Sequence, residues 1–108
     1  MDTLFGRDRL RYLDRDGQPI SRAVWWELIR CPEYTSLSRK VILVEGREVE
    51  VEASWVGVAS SREPRPTIFL VTARQYDSRI VQVVGPIWCE TMEQAMVEMD
   101  AVVALLEA

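Results

Sequence analysis

Between Glu48 and Trp55 the chain alternates without exception, Glu48, Glu50, Glu52 and Ser54 against Val49, Val51, Ala53 and Trp55. Successive side chains of a strand point to opposite faces, whereas a helix brings residues three and four apart together. Val49 to Gly57 therefore reads as a strand with one apolar and one wet face, and it needs strands beside it and a layer over its apolar side. Val41 to Val44 supplies the first neighbour across Glu45-Gly46-Arg47-Glu48. A two-residue loop of Gly46-Arg47, with glycine at the first central position, sets Val44 opposite Val49 and Ile42 opposite Val51. The other register pairs Ile42 with Val49 and Val44 with Arg47; the first is favoured because it gathers β-branched pairs on the buried face.

Two further strands are expected at Thr67 to Ala73 and Arg79 to Val84, joined around Tyr76-Asp77-Ser78, with Gly85-Pro86 ending the second. Ile68 and Leu70 on one face and Phe69 and Val71 on the other make these strands central. Upstream, residues 9–13 suit a short strand leading into the turn Asp14-Arg15-Asp16-Gly17-Gln18-Pro19. Ser21 then caps a helix whose apolar face is Val24, Trp25, Leu28 and Ile29, stopped by Pro32. Glu33 to Lys40 reads as a polar connector and Ala59 to Pro66 as the longest loop. Thr91-Met92-Glu93-Gln94 is a capping box opening a last helix with a core stripe of Met92, Ala95, Met96, Met99, Val103 and Leu106. The fold expected is α+β, one domain over residues 1–108, a four-stranded antiparallel meander with an N-terminal and a C-terminal helix packed on one face, in the order α-β-β-β-β-α. With both helices on one face, Val41 and Leu43 turn to the other, and so does one of the two apolar pairs of the third strand, which leaves an uncovered apolar patch.

The 108 residues carry 13 Lys and Arg, 17 Asp and Glu and no His, for a net charge of −4. That balance opposes direct nucleic-acid binding. Arg7, Arg9, Arg11 and Arg15 cluster, but Asp8, Asp14 and Asp16 interleave with them. Without histidine the chain lacks the usual general base and every Ser/His or Cys/His pair, so no catalytic residue is assigned and an enzyme is not expected. Cys31 and Cys89 form no Cys-x-x-Cys pair, and Asp14-Arg15-Asp16-Gly17 lacks the ligand spacing of a calcium loop, so neither a metal nor a cofactor is expected. No apolar run reaches the length of a membrane span, and a cytoplasmic protein is expected.

Two features point to a partner. Glu48, Glu50 and Glu52 form an acidic row about 7 Å apart along one strand face, which a basic surface on another protein could engage. Trp25 and Trp26 cannot both face the core from one helix, and Trp26 is placed at the margin as a contact residue.

The order Asp16-Gly17-Gln18-Pro19-Ile20-Ser21, Trp25, Pro32-Glu33-Tyr34, Trp55-Val56-Gly57, Pro66-Thr67-Ile68-Phe69 and Thr91 to Val103 with Ala95 resembles a family of small, uncharacterised proteins of bacteria and bacteriophages. The resemblance covers most of the chain. Leu70 and Val71 stand where those relatives tend to carry an acidic residue and a threonine, and Met99 where they carry a histidine. The resemblance implies the order of elements and a bacterial or phage setting but supplies no activity. Small acidic phage proteins often block host complexes, by class analogy only. The functional expectation is a non-enzymatic protein-binding module, an inhibitor of a host defence complex in the manner of anti-CRISPR proteins. The alternative is a structural protein that forms a homodimer through its uncovered sheet face.

Overall fold

The computed structural model describes residues 9–76 and 80–108. Arg7 and Asp8 of the charge cluster, and Asp77, Ser78 and Arg79 at the expected turn, lie outside the described residues. The element order is β1 (Leu10–Tyr12), α1 (Arg22–Ile29), α2 (Pro32–Thr35), β2 (Ser36–Val44), β3 (Arg47–Trp55), β4 (Val58–Ser60), β5 (Phe69–Tyr76), β6 (Ile80–Cys89) and α3 (Met92–Glu107). The architecture is α+β: a four-stranded antiparallel sheet in the order β2-β3-β5-β6, a separate two-stranded sheet of β1 and β4, and the C-terminal helix α3.

The alternation of β3 is realised as expected. Val49, Val51, Ala53 and Trp55 are buried, and their cross-strand partners Ala73, Val71 and Phe69 on β5 are buried with them. Helix α3 closes this face with Ala95, Met99, Val102 and Val103. Its start is fixed as the sequence implies: the Thr91 hydroxyl accepts the Gln94 N–H at 3.0 Å, while the Gln94 side chain accepts the N–H of Glu90. Ser21 caps α1 in the same way, accepting the Val24 N–H at 3.1 Å.

Several expectations are corrected. The sheet is not a plain meander with two helices on one face. Between β3 and β5 the chain leaves the sheet at Gly57 (φ 72°) and pairs as β4 with β1, Tyr12 opposite Val58 and Leu10 opposite Ser60. Helix α1 forms no second layer beside α3: it buries no residue fully and is held where β3 ends, because the Trp25 indole N–H donates to the Val56 carbonyl at 2.9 Å. The polar connector is largely structured, Pro32–Thr35 as a single helical turn and Ser36 onward as β2. Pro86 does not end the last strand, since β6 lies at the sheet edge, where a proline costs no ladder bond, and runs on to Cys89.

The hairpin also takes the register judged second. Glu45 (φ 52°) and Gly46 (φ 80°) form the loop, so Val44 faces Arg47 and Ile42 faces Val49. Two consecutive positive φ values make this one of the two tight turns whose twist suits a hairpin, and Gly46 serves at its second position instead of the first expected from the sequence. The two registers differ by two residues and leave every side chain on the same face, so hydrophobic patterning could not separate them.

One corner ties these parts together. The buried Trp55 indole donates to the Leu13 carbonyl at 3.1 Å, the N–H groups of Val56 and Gly57 both reach the Ile68 carbonyl, and the Gly57 carbonyl accepts the Leu13 N–H at 3.0 Å. Tyr34 stands edge-on to the Trp55 ring at 4.8 Å between centroids. At Gly57 a Cβ would overlap the Trp55 ring and crowd the Leu13 carbonyl oxygen, and the φ itself disfavours an L side chain. Gly57→Ala is expected to destabilise the fold by at least about 2 kcal/mol, more than the same change at Gly46, where nothing crowds a Cβ; thermal unfolding of the two variants side by side checks this.

Candidate partner-binding site

The register of the four-stranded sheet builds the face opposite α3 row by row. Leu43 faces Glu48, Val41 faces Glu50, and Arg39 faces Glu52; across β3, Glu50 faces Arg74, Glu52 faces Thr72, and Ser54 faces Leu70, which in turn faces Trp88. Among the described residues no helix or strand lies over this face. Val41 and Leu43 are exposed at 54% and 68%, and Trp88 at 48%.

The three glutamates thus share one face, but the structure gives them different environments. Glu48 is exposed at the hairpin end. The Glu50 side chain is only 19% exposed and lies 3.4 Å from the Arg39 Nε. Glu52 accepts the Ser36 hydroxyl at 2.9 Å. With Arg39 opposite Glu52 and Arg74 opposite Glu50, much of the row's charge is offset within the sheet. A cross-strand ion pair whose cation stays largely in solvent contributes about a few tenths of a kcal/mol and chiefly fixes side-chain positions. The face is better described as a charge-patterned strip between two apolar borders than as a line of free carboxylates.

Trp26 is carried on a different element. It sits on α1, 55% exposed, with the Arg30 guanidinium 5.9 Å from its ring and the Trp25 ring 6.0 Å away. Trp25 turns inward to Tyr12 and Val56, so the two neighbours divide as the helix spacing requires. Trp26, Arg22 and Ala23 line a shallow depression that is not part of the sheet face. Sequence reasoning did not single out Trp88 as a contact residue. No local signal marked it, because its place beside Leu70 on the open face depends on β6 running past Pro86.

A second concave region lies between the 14–18 turn and the start of α3. Its polar half, ≈ 300 Å³, is lined by Arg15, Asp16, Glu90 and Glu93 over Phe69, and the adjoining apolar half by Leu37, Met92, Met96 and Val97. Two of its charged groups are engaged: the Arg15 guanidinium lies over the Tyr34 ring at 4.9 Å, and Glu90 pairs with Arg65 at 3.0 Å. In the turn itself, one oxygen of Asp14 accepts the N–H groups of Asp16 and Gln18, so this carboxylate organises the loop. Among the described residues no group of three or more acidic, cysteine or histidine side chains could hold a metal ion, and no helix is long and apolar enough to cross a membrane.

The cysteines differ sharply. Cys31 is exposed beyond α1, whereas Cys89 is buried, and burial, reinforced by the negative charge of Glu98, raises its thiol pKa above the ordinary value. Comparison with protein-family models, curated proteins and solved structures finds no match to this chain. In the native protein at neutral pH, an alkylating reagent is expected to modify Cys31 alone, with Cys89 reacting only after denaturant is added; mass spectrometry of the modified peptides reads the difference.

Proposed function

We propose that this chain is a non-enzymatic protein-binding module of bacterial or phage origin whose contact surface is the open face of the four-stranded sheet. The observation that carries the reading is that face itself: large apolar side chains at 41, 43 and 88 stand on both borders of a patterned charge strip, with no helix or strand of the described chain above them. Exposed apolar groups set beside patterned charge suit a contact surface, in which the apolar part supplies affinity and the charges select the partner. The absence of histidine and the burial of Cys89, whose thiol pKa is raised, support a role without chemistry. Within this reading, inhibition of a host defence complex in the manner of anti-CRISPR proteins draws on the small size, the net charge of −4 and the family resemblance. The offset of Glu50 and Glu52 by Arg39 and Arg74 favours recognition by shape and apolar contact over imitation of a phosphate row.

The test is affinity capture from a bacterial lysate with wild-type bait beside three variants: Trp88→Ala, reversal of Glu48, Glu50 and Glu52 to lysine, and Trp26→Ala. Stoichiometric capture of one complex is expected, reduced at least about ten-fold by Trp88→Ala and by the charge reversal. Trp26→Ala, on a separate surface, should change it less. Capture that survives both face variants would overturn the assignment of the surface.

A further inference from the structure

The four-stranded sheet has two edges, β2 and β6, and they are not equivalent. β6 carries Pro86, which has no N–H to offer, and its pairing with β5 is irregular at two points around Ala73. Both features blunt an edge against further pairing. β2 contains no proline or glycine, and although its pairing with β3 shifts register between Ser36 and Ser38, it runs without interruption from Ser38 to Val44. A long regular edge with exposed Val41 and Leu43 is a template for another strand.

The hairpin turn decides which backbone groups face outward. In a two-residue hairpin the flanking residues, here Val44 and Arg47, exchange both of their backbone hydrogen bonds, and the pattern alternates from there. Val44, Ile42 and Lys40 therefore spend their N–H and C=O groups on β3, and Leu43, Val41 and Arg39 direct theirs to the open edge. A strand added antiparallel must pair with those odd-numbered positions.

We propose that β2 pairs with β2 of a second copy, antiparallel, about a two-fold axis at Ile42. In that register Val41 lies opposite the second copy's Leu43 and Lys40 opposite its Val44, while Arg39 lies level with its Glu45, the exposed turn residue that follows β2, each pair repeated by symmetry. The segment Arg39 to Glu45 is thus complementary to itself, cation to carboxylate at both ends and apolar to apolar between. Other two-folds spoil this match. Centring on Lys40 sets the lysines against each other, centring on Leu43 runs Arg39 past the end of the second copy's β2 at Val44, and centring on Val41 leaves Arg39 opposite a leucine. Arg39 and Glu45 are both exposed, so the pair can form without rearranging the core. The result is a continuous eight-stranded sheet whose two open faces adjoin, with Val41 and Leu43 of both copies forming one apolar band at its centre. This edge is distinct from the face assigned to a partner protein, and the dimer does not depend on that reading.

Sedimentation equilibrium from about 1 to 500 µM on wild type, Arg39→Glu, Glu45→Arg and the double exchange tests the pairing. Wild type is expected to approach twice the chain mass with rising concentration. Each single reversal, which creates like-charge pairs across the axis, is expected to weaken association at least about ten-fold, and the double exchange to return it to within about three-fold of wild type. Circular dichroism melts confirm that the variants fold. Should Arg39→Glu lose structure through its closeness to Glu50, Glu45→Arg at the exposed turn carries the same comparison. A monomer at every concentration overturns the proposal, and so does a dimer indifferent to the single reversals or one that the double exchange fails to restore.

Discussion

The structure hangs on the corner Trp55-Val56-Gly57. Strand β3 ends there, and the chain must turn out of a sheet without leaving buried backbone groups unpaired, which costs as much as a lost hydrogen bond for each group. The corner satisfies its own groups and those of its surroundings together. The Ile68 carbonyl accepts two N–H groups, Leu13 exchanges a backbone bond with Gly57 and receives the Trp55 indole, and Val56 receives the Trp25 indole. Three segments far apart in sequence, the 9–13 strand, α1 and the start of β5, are thereby fixed to one point. Only glycine fits at position 57, because the backbone is in the left-handed region and the Trp55 ring occupies the space a side chain would need.

From that corner the two faces of the sheet acquire different fates. Trp55 and Tyr34 seal one end of the inner face and α3 covers the rest, so that the core from Val49 to Phe69 is dry. α1, tethered at the corner by Trp25, cannot reach across the sheet to the other side. The outer face consequently keeps its apolar borders in solvent, and its charges settle against one another: Arg39 beside Glu50, Ser36 on Glu52, Arg74 across from Glu50. A surface with such internal order presents a defined shape as well as a charge, which suits recognition of another protein's surface better than general electrostatic attraction.

The hairpin shows how a local conformational preference can outrank a global pattern. Apolar pairing favoured a loop at Gly46-Arg47, yet the chain places Glu45 and Gly46 at the tip, accepting a glutamate at positive φ. The turn with positive φ at both central positions and the turn with glycine first both suit the strand twist, so the observed register rests on the conformation of the tip, at the loss of one apolar pair. The choice has consequences at the edge, because the turn determines which residues of β2 offer their backbone groups outward.

Much of the local organisation was legible in the residues themselves: the alternation of β3, the caps at Ser21 and Thr91, the inward Trp25 beside an outward Trp26, and the sharing of one face by Glu48, Glu50 and Glu52. Each follows from a period or a hydrogen bond that spans only a few residues. What the sequence could not supply was whatever depends on distant groups meeting. The departure of β4 from the sheet, the seat of α1 at the end of β3 instead of beside α3, the continuation of β6 through Pro86 and the arginines that bracket the glutamate row were decided by tertiary structure. Periodicity reports which side of an element is buried, whereas the partner that buries it, and the charge that stands opposite, are set by contacts between segments that no local pattern encodes.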